Sequence, residues 1–374
     1  MPVASGCIRG SHQRSGSVAL DSLVKSSVKT KSAKTFRLST AFHTVLGAVL
    51  SVAILSAGSV QASSSDSSLD RPAIKSQKAA NSLLLDVTRT DGGVRLVSVG
   101  ERGHIIFSDD HGVSWQQASV PTIQMLTAVQ FPSEKVGYAV GHDAIVLKTE
   151  DGGETWQQVY VDREATVPLL DVWFKDNLHG FAVGAYGYII ETVDGGQSWD
   201  FIDDRIANDD EFHYNAINDD GQGNLFLAGE AGILYRSTDS GQTWTTLSSP
   251  YEGSWFGVSG DNGRVLVHGL RGNIYQSQDL GETWQPLSSG TEQTLFGSAK
   301  LIDGSIALVG NSGAVLTGSG YEAGLPSSER AGLSVSHRPD RMTLSALAPS
   351  SDGFIVVVGQ GGAYRMTIEG NVLK

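Results

Sequence analysis

The sequence predicts an all-β fold, a seven-bladed β-propeller of four-stranded blades, on three observations. An octapeptide motif recurs five times at intervals of a size that suits one blade. Each copy follows two short apolar runs joined by a glycine-containing turn, the pattern of a tight antiparallel hairpin. Glycine is abundant, at 45 residues against 10 prolines, with no Gly-X-Y period, as expected of a chain with many tight turns. The rest of the composition is globular, with 40% hydrophobic and 18% charged residues in 374. The single cysteine, Cys7, lies in the N-terminal tail, which excludes a disulfide framework and a cysteine-based metal cluster from the folded part.

In chain order, the first element is a leader. Lys25, Lys29, Lys31, Lys34 and Arg37 form a basic run without an acid, followed by an apolar run from Ala41 to Val60 and a serine-rich stretch. This order is that of a secretory signal peptide. About twenty apolar residues also suffice for an uncleaved anchor; His43 and the many Ala, Gly and Ser residues favour cleavage. Residues 1–62 are therefore read as a signal peptide or N-terminal anchor. Residues 63–81 are read as a linker and possible ring-closing strand, and 82–374 as the propeller. Seven of the 27 basic residues but only one of the 40 acidic residues fall in 1–62, so the remainder carries a net charge of −19. A surface this acidic repels phosphate backbones and argues against a nucleic-acid partner.

The repeating unit comes next. SDDHGVSW (Ser108 to Trp115), TEDGGETW (Thr149 to Trp156), TVDGGQSW (Thr192 to Trp199), STDSGQTW (Ser237 to Trp244) and SQDLGETW (Ser277 to Trp284) all obey [Ser/Thr]-x-Asp-x-Gly-x-[Ser/Thr]-Trp. Upstream of each lie a first strand-like segment (MLTAVQF, LLDVWF), a second run ending in glycine (YAVG, FAVG) and a third (AIVLKT, YIIET). A short alternating stretch such as QQVYV follows the tryptophan. Gly304 to Gly320 repeats the pattern with a decayed motif, and Met342 to Met366 supplies three more strands. Seven units from about residue 82 result. The irregular Leu325–Arg341 stretch, read as an insertion between blades, leaves six or eight open.

Within the motif, Asp can accept backbone N–H groups inside a tight loop, and Gly supplies positive φ. The Ser/Thr hydroxyls cap further backbone groups, and Trp is a large apolar wedge suited to packing between blades. A catalytic group is needed once, whereas a structural clip is needed in every blade. Asp110, Asp151, Asp194, Asp239 and Asp279, with Trp115, Trp156, Trp199, Trp244 and Trp284, are therefore read as structural.

The five-fold pattern resembles the Asp-box, or BNR, repeat of sialidases, sortilin-type receptors and xyloglucanases. That resemblance implies a box between the third and fourth strands, away from the ligand face. The longer pattern, Leu169-Leu170-Asp171-Val172-Trp173-Phe174, then Gly180 to Gly184, then the box, is similar to the repeat of the photosystem II assembly factor Ycf48 and its exported bacterial relatives. It implies a non-catalytic, exported platform that binds a membrane protein or envelope complex, periplasmic or, in a photosynthetic host, lumenal. An arginine patch is implicated in the photosynthetic members; here Arg102 and Arg271 occupy the turns between second and third strands.

In a propeller those turns share a face with the inter-blade loops. They give Arg102, His142, Asp143, Tyr186, Glu230 and Arg271, and an inter-blade loop gives Arg163; together these form the expected binding face. Aromatic and arginine side chains there suit a protein interface. The alternative function is a glycoside hydrolase, sialidase-like or xyloglucanase-like, which needs two carboxylates across a cleft; Glu101, Asp143, Glu164, Glu230 and the acidic Asp203–Glu211 loop are candidates, with no spacing that selects a pair. No cofactor is expected, and His104, His142, His213 and His268 lack metal-ligand spacing. The protein is read as a monomer with a protein partner.

Overall fold

The computed structural model describes residues 71–319, 333–368 and 371–373. The leader lies outside the described residues, as do residues 325–332 of the irregular stretch. Seven antiparallel sheets follow one another along the chain, six of four strands and a last one of three. Blades 1 to 7 span residues 84–117, 126–160, 169–201, 214–246, 255–286, 295–337 and 344–366. In every blade the strands are paired in sequence order, first to second to third to outer. Among the described residues no helix is long and apolar enough to cross a membrane.

Burial grades outward from the second strand. Leu96–Gly100, Gly137–Gly141, Gly180–Gly184 and their equivalents are buried at every position, whereas outer strands such as Asp200–Phe201 and Thr245–Thr246 are exposed at both positions. Strands covered on both faces read as continuous apolar runs rather than alternating ones, which is how LVSVG and YAVG appear. The core is divided into seven apolar clusters, one between each pair of neighbouring blades. One of them joins Leu84, Leu96 and Ile106 of blade 1 to Ala346, Val356 and Val358 of blade 7 and so closes the ring.

A glycine ends each second strand for a steric reason. Every first strand has a register shift after its first residue. The bulge brings the preceding carbonyl against the second strand. A Cβ at Gly100, Gly141, Gly184, Gly229, Gly269, Gly310 or Gly359 would lie 2.0–2.3 Å from that carbonyl oxygen. The N–H after the glycine donates to the same oxygen, as in Glu101 to Leu83 (3.0 Å) and Ala185 to Pro168 (3.1 Å).

Two segments differ from expectation. Among the described residues, those before Ser82 do not complete blade 7. Ala73 donates to the Val120 carbonyl and Lys75 to those of Gln117 and Ala118, which lays this segment along the outer edge of blade 1. The edge of blade 7 is met instead from the C-terminus, through a Met366–Val372 bridge and the Leu373 N–H to Arg365 carbonyl bond. The stretch Leu325–Arg341 is not wholly an inter-blade loop either. Its residues Ser334–His337 pair with Ala314–Gly318 as the outer strand of blade 6, where their backbone N–H and C=O groups satisfy the third strand's otherwise free edge.

Candidate binding face

The five motif hairpins lie at one end of the blades and share one hydrogen-bond set. The first hydroxyl donates to the Asp carboxylate at 2.7–2.9 Å. That hydroxyl accepts the motif Gly N–H at 2.8–3.0 Å, and the second hydroxyl donates to the other carboxylate oxygen at 2.5–2.6 Å. Hydrogen bonds from the Ser198 hydroxyl and N–H hold Asp194 down at about 2, and those from Thr243 do the same for Asp239. Burial opposes this at Asp110, Asp151 and Asp279, but their hydrogen bonds outweigh it and their pKa values are also lowered. Charge-assisted bonds to an ionised carboxylate have this effect.

Each hairpin also reaches back to the blade before it. A Cβ on Gly112 of blade 1 would lie 2.6 Å from Val356 of blade 7, and one on Gly241 of blade 4 would lie 2.3 Å from Phe181 of blade 3. Trp156, Trp199 and Trp244 join the clusters shared with the preceding blade and meet Phe131, Phe174 and Phe181 edge-on at 6.0, 5.9 and 6.4 Å. Trp115 and Trp284 sit against the equivalent clusters.

At the opposite end, the turns between second and third strands are single 3₁₀ turns whose middle residue is left-handed. The residues are Arg102, Asp143, Tyr186, Ala231, Arg271 and Ser312, with φ between 52° and 58°. Left-handed backbone aims these side chains away from the strands, and non-glycine residues adopt it at a cost. Tyr186 is 61% exposed; its N–H donates to His213 Nδ1 (3.0 Å) and its ring stands edge-on to the imidazole at 4.7 Å. Arg102 and Arg271 are exposed, in blades 1 and 5, so the ring separates them and no continuous cationic strip forms. His142 is exposed beside Asp143, whose carboxylate accepts from Gln124 Nε2 (2.5 Å). Arg163 is exposed in the loop between blades 2 and 3, a loop shaped by Asp162 accepting the N–H groups of Glu164 and Ala165.

Two candidate carboxylates serve the backbone. Glu101 accepts the Leu83 N–H (3.2 Å), and Glu230 accepts the His213 N–H (3.4 Å), each tying its turn to the start of the same blade's first strand. In the Asp203–Glu211 loop, Asp203–Arg205 forms a 3₁₀ turn from which Arg205 reaches the buried Glu191 (2.7 Å), itself 2.8 Å from His179.

The first strands enclose a central channel of 690 Å³, a place to which no functional residue is assigned from sequence. After the bulge, the register places Asp86, Ala128, Asp171, Ala216, Gly257, Gly297 and Ala346 at one level. Asp86 accepts the N–H of Val87 and of Val129 in the next blade, both at 2.8 Å; Asp171 accepts those of Val172 and Ile217 in the same way. Burial pushes Asp86 up to about 6, against the pull of its two N–H donors. Burial pushes Asp171 up to about 7, with the Asp86 charge adding to it. Two aspartates among alanines and glycines at one register were the available sequence signal, visible once the repeats are aligned on their bulges.

The fold is that of a seven-bladed β-propeller, with the five hydrogen-bonded motif hairpins at one end of the blades and the second-to-third-strand turns at the other. The family described as photosynthesis system II assembly factor YCF48 matches the chain over residues 107–168 and 155–325. The chain belongs to that family. Among solved structures, a YCF48 bound to D1 peptide is similar at TM-score 0.61 and 18% identity, covering 77% of this chain and 94% of that one. YCF48 from Cyanidioschyzon merolae matches at TM-score 0.61 and 14% identity, over 80% and 99% of the two chains. The WD40 β-propeller domain of Doa1 is as similar, at TM-score 0.61 and 15% identity over 80% and 95%. At such identities these structures speak to the fold alone. No curated protein sequence matches significantly.

Proposed function

We propose that the protein is a non-catalytic binding platform that docks an exposed segment of a membrane protein or envelope complex on the face of the second-to-third-strand turns. The observation that carries this reading is that a YCF48 of the same fold is bound to a D1 peptide, taken with this chain's membership of that family. Arg102, His142, Asp143, Tyr186, Arg271 and Arg163 are assigned to the contact surface, with Glu230 as a support beneath it. The use of Glu101 and Glu230 as backbone acceptors favours binding over acid–base chemistry at these turns. Residues 1–62 are assigned to export or anchoring, which places the propeller in the periplasm, or in the lumen of a photosynthetic host, as a monomer.

Pull-down from envelope extracts tests the face. Wild type is expected to recover a membrane-protein partner that Arg102→Glu/Arg271→Glu recovers at least tenfold less. Equal recovery by the two proteins would remove the assigned face. Incubation with a panel of glycans tests the absence of catalysis; turnover abolished by Glu230→Gln or Asp143→Asn would make the protein a hydrolase.

A further inference from the structure

The channel wall has an imbalance of hydrogen-bonding groups. Three of the side-chain donors along it are spent on backbone carbonyls: the Thr127 hydroxyl on Leu169 (2.7 Å), Asn215 Nδ2 on Trp255 (2.8 Å) and Gln130 Nε2 on Phe174 (3.2 Å). Its acceptors are not matched. Each of the Asp86 and Asp171 carboxylates takes two N–H groups, while an ionised carboxylate has about four acceptor sites. His268 borders the same channel and is 0% exposed. Its Nδ1 lies 3.3 Å from the Leu295 carbonyl, which can only accept, so Nδ1 carries the hydrogen. Nε2 is then a bare acceptor, and it has no partner among the described residues. Gly257 makes room for it, since a Cβ there would lie 2.2 Å from Nε2. Beside it, Phe256 and Phe296 form an edge-on pair at 5.2 Å that also borders the channel.

Acceptors on blades 1, 3 and 5, with an aromatic pair on blades 5 and 6, call for a ligand that is rich in donors, positively charged and partly apolar. We propose that the channel binds a linear aliphatic di- or polyamine, its ammonium groups donating to Asp86, Asp171 and His268 Nε2 and its methylene stem lying on Phe256 and Phe296. A cation over an aromatic face adds to such binding. The other charged groups bordering the channel are Arg89, Asp91 and Lys175, from the ends of the first strands and the turns after them. Burial holds Asp86 and Asp171 partly protonated near neutrality and keeps His268 neutral, its pKa lowered to about 4. An alkylammonium keeps its charge to about pH 10, so affinity rises with pH as the two carboxylates ionise.

The repeat itself supplies fold-compatible variants. Asp86→Ala and Asp171→Ala install the residue that blades 2, 4 and 7 carry at that level. His268→Val installs the residue opposite it in blades 1, 2, 3, 6 and 7. Calorimetric titration of the full chain with putrescine, cadaverine and spermidine tests the site, with circular dichroism confirming that each variant is folded. Expected at pH 8 is saturable binding, weakened at least tenfold by Asp86→Ala/Asp171→Ala and severalfold by His268→Val, and unchanged by the surface control Asp204→Ala. Wild-type affinity should fall about a hundredfold from pH 8 to pH 5.5, since each pH unit below a carboxylate's pKa removes about nine-tenths of its ionised form and both carboxylates titrate in that interval. Absence of saturable binding, or equal binding by the double variant, overturns the proposal, the latter showing only attraction to an acidic surface. So does magnesium binding that needs both aspartates but not His268. Tighter binding of Nα-acetyl-lysine amide than of cadaverine would overturn the free amine in favour of a partner's lysine.

Discussion

Asp151 accepts the Thr149 hydroxyl, the N–H groups of Glu154 and Thr155 and the Thr155 hydroxyl. Removing it leaves those donors to solvent or to nothing, and Gly153 loses the hydroxyl orientation that holds its N–H. Asp151→Ala is expected to cost about 1–3 kcal/mol, as for loss of a charged hydrogen-bond partner, read from urea unfolding at pH 7. At this scale the motif's hydrogen-bonded clip was legible from sequence, because its hydroxyls and carboxylate act on neighbours within four positions. The glycine that ends each second strand was visible only as a letter. Its reason is a carbonyl from the residue before the first strand, some sixteen positions away in the chain, at 2.2 Å from the missing Cβ for Gly100. No local pattern carries that contact.

At the scale of the element, the second-to-third-strand turn is the unit that the propeller varies. Its backbone is the same in six blades while its middle residue changes from Arg to Asp, Tyr, Ala and Ser. A left-handed alanine has no side-chain contact to offset its strain, so Ala231→Gly should raise stability. The left-handed conformation costs about 1–2 kcal/mol and glycine's extra chain entropy about 0.5–1 kcal/mol, so a gain of about 0.5–1 kcal/mol in thermal or urea unfolding is expected. A loss on substitution would show that the turn is not under strain. The strand–turn–strand pattern was readable wherever the motif marked its end. In blade 6, where the motif has decayed, the outer strand Ser334–His337 was hidden in a stretch of mixed polarity, since none of its four residues is buried and no alternation results.

For the whole molecule, two sets of aspartates oppose each other. The box carboxylates are held below their ordinary value, so their contribution is present above about pH 4 and is lost as the pH falls toward 2. Asp86 and Asp171 are held above it, at about 6 and about 7. Their native forms keep protons that the unfolded chain releases near pH 4, so their contribution is full below that value and is lost as pH rises through 6 to 7. Urea midpoints measured from about pH 2.5 to pH 8 should therefore rise and then decline. Asp86→Ala/Asp171→Ala should flatten the decline and leave the acid limb unchanged; an unaltered decline would mean that other groups cause it. The acidic surface and the blade count were legible in composition and spacing. The channel was not, because the level that carries its two aspartates takes one residue from each blade, each inconspicuous in its own repeat.

Among the described residues, the ring is closed between blades 7 and 1 without a strand of one blade completing the other. The apolar cluster, the His111 ring beside the Ser350 and Ser351 hydroxyls and the fit of Gly362 against the Ala80 carbonyl hold the seam by side chains and surface shape. Both described ends of the propeller run along the edges of these two blades. Tension applied through those ends would thus load a junction that can open like a zip, blade by blade. Joining the ends and cutting the chain between two other blades would move that junction elsewhere and give a circle with the same contacts but a different mechanical weak point.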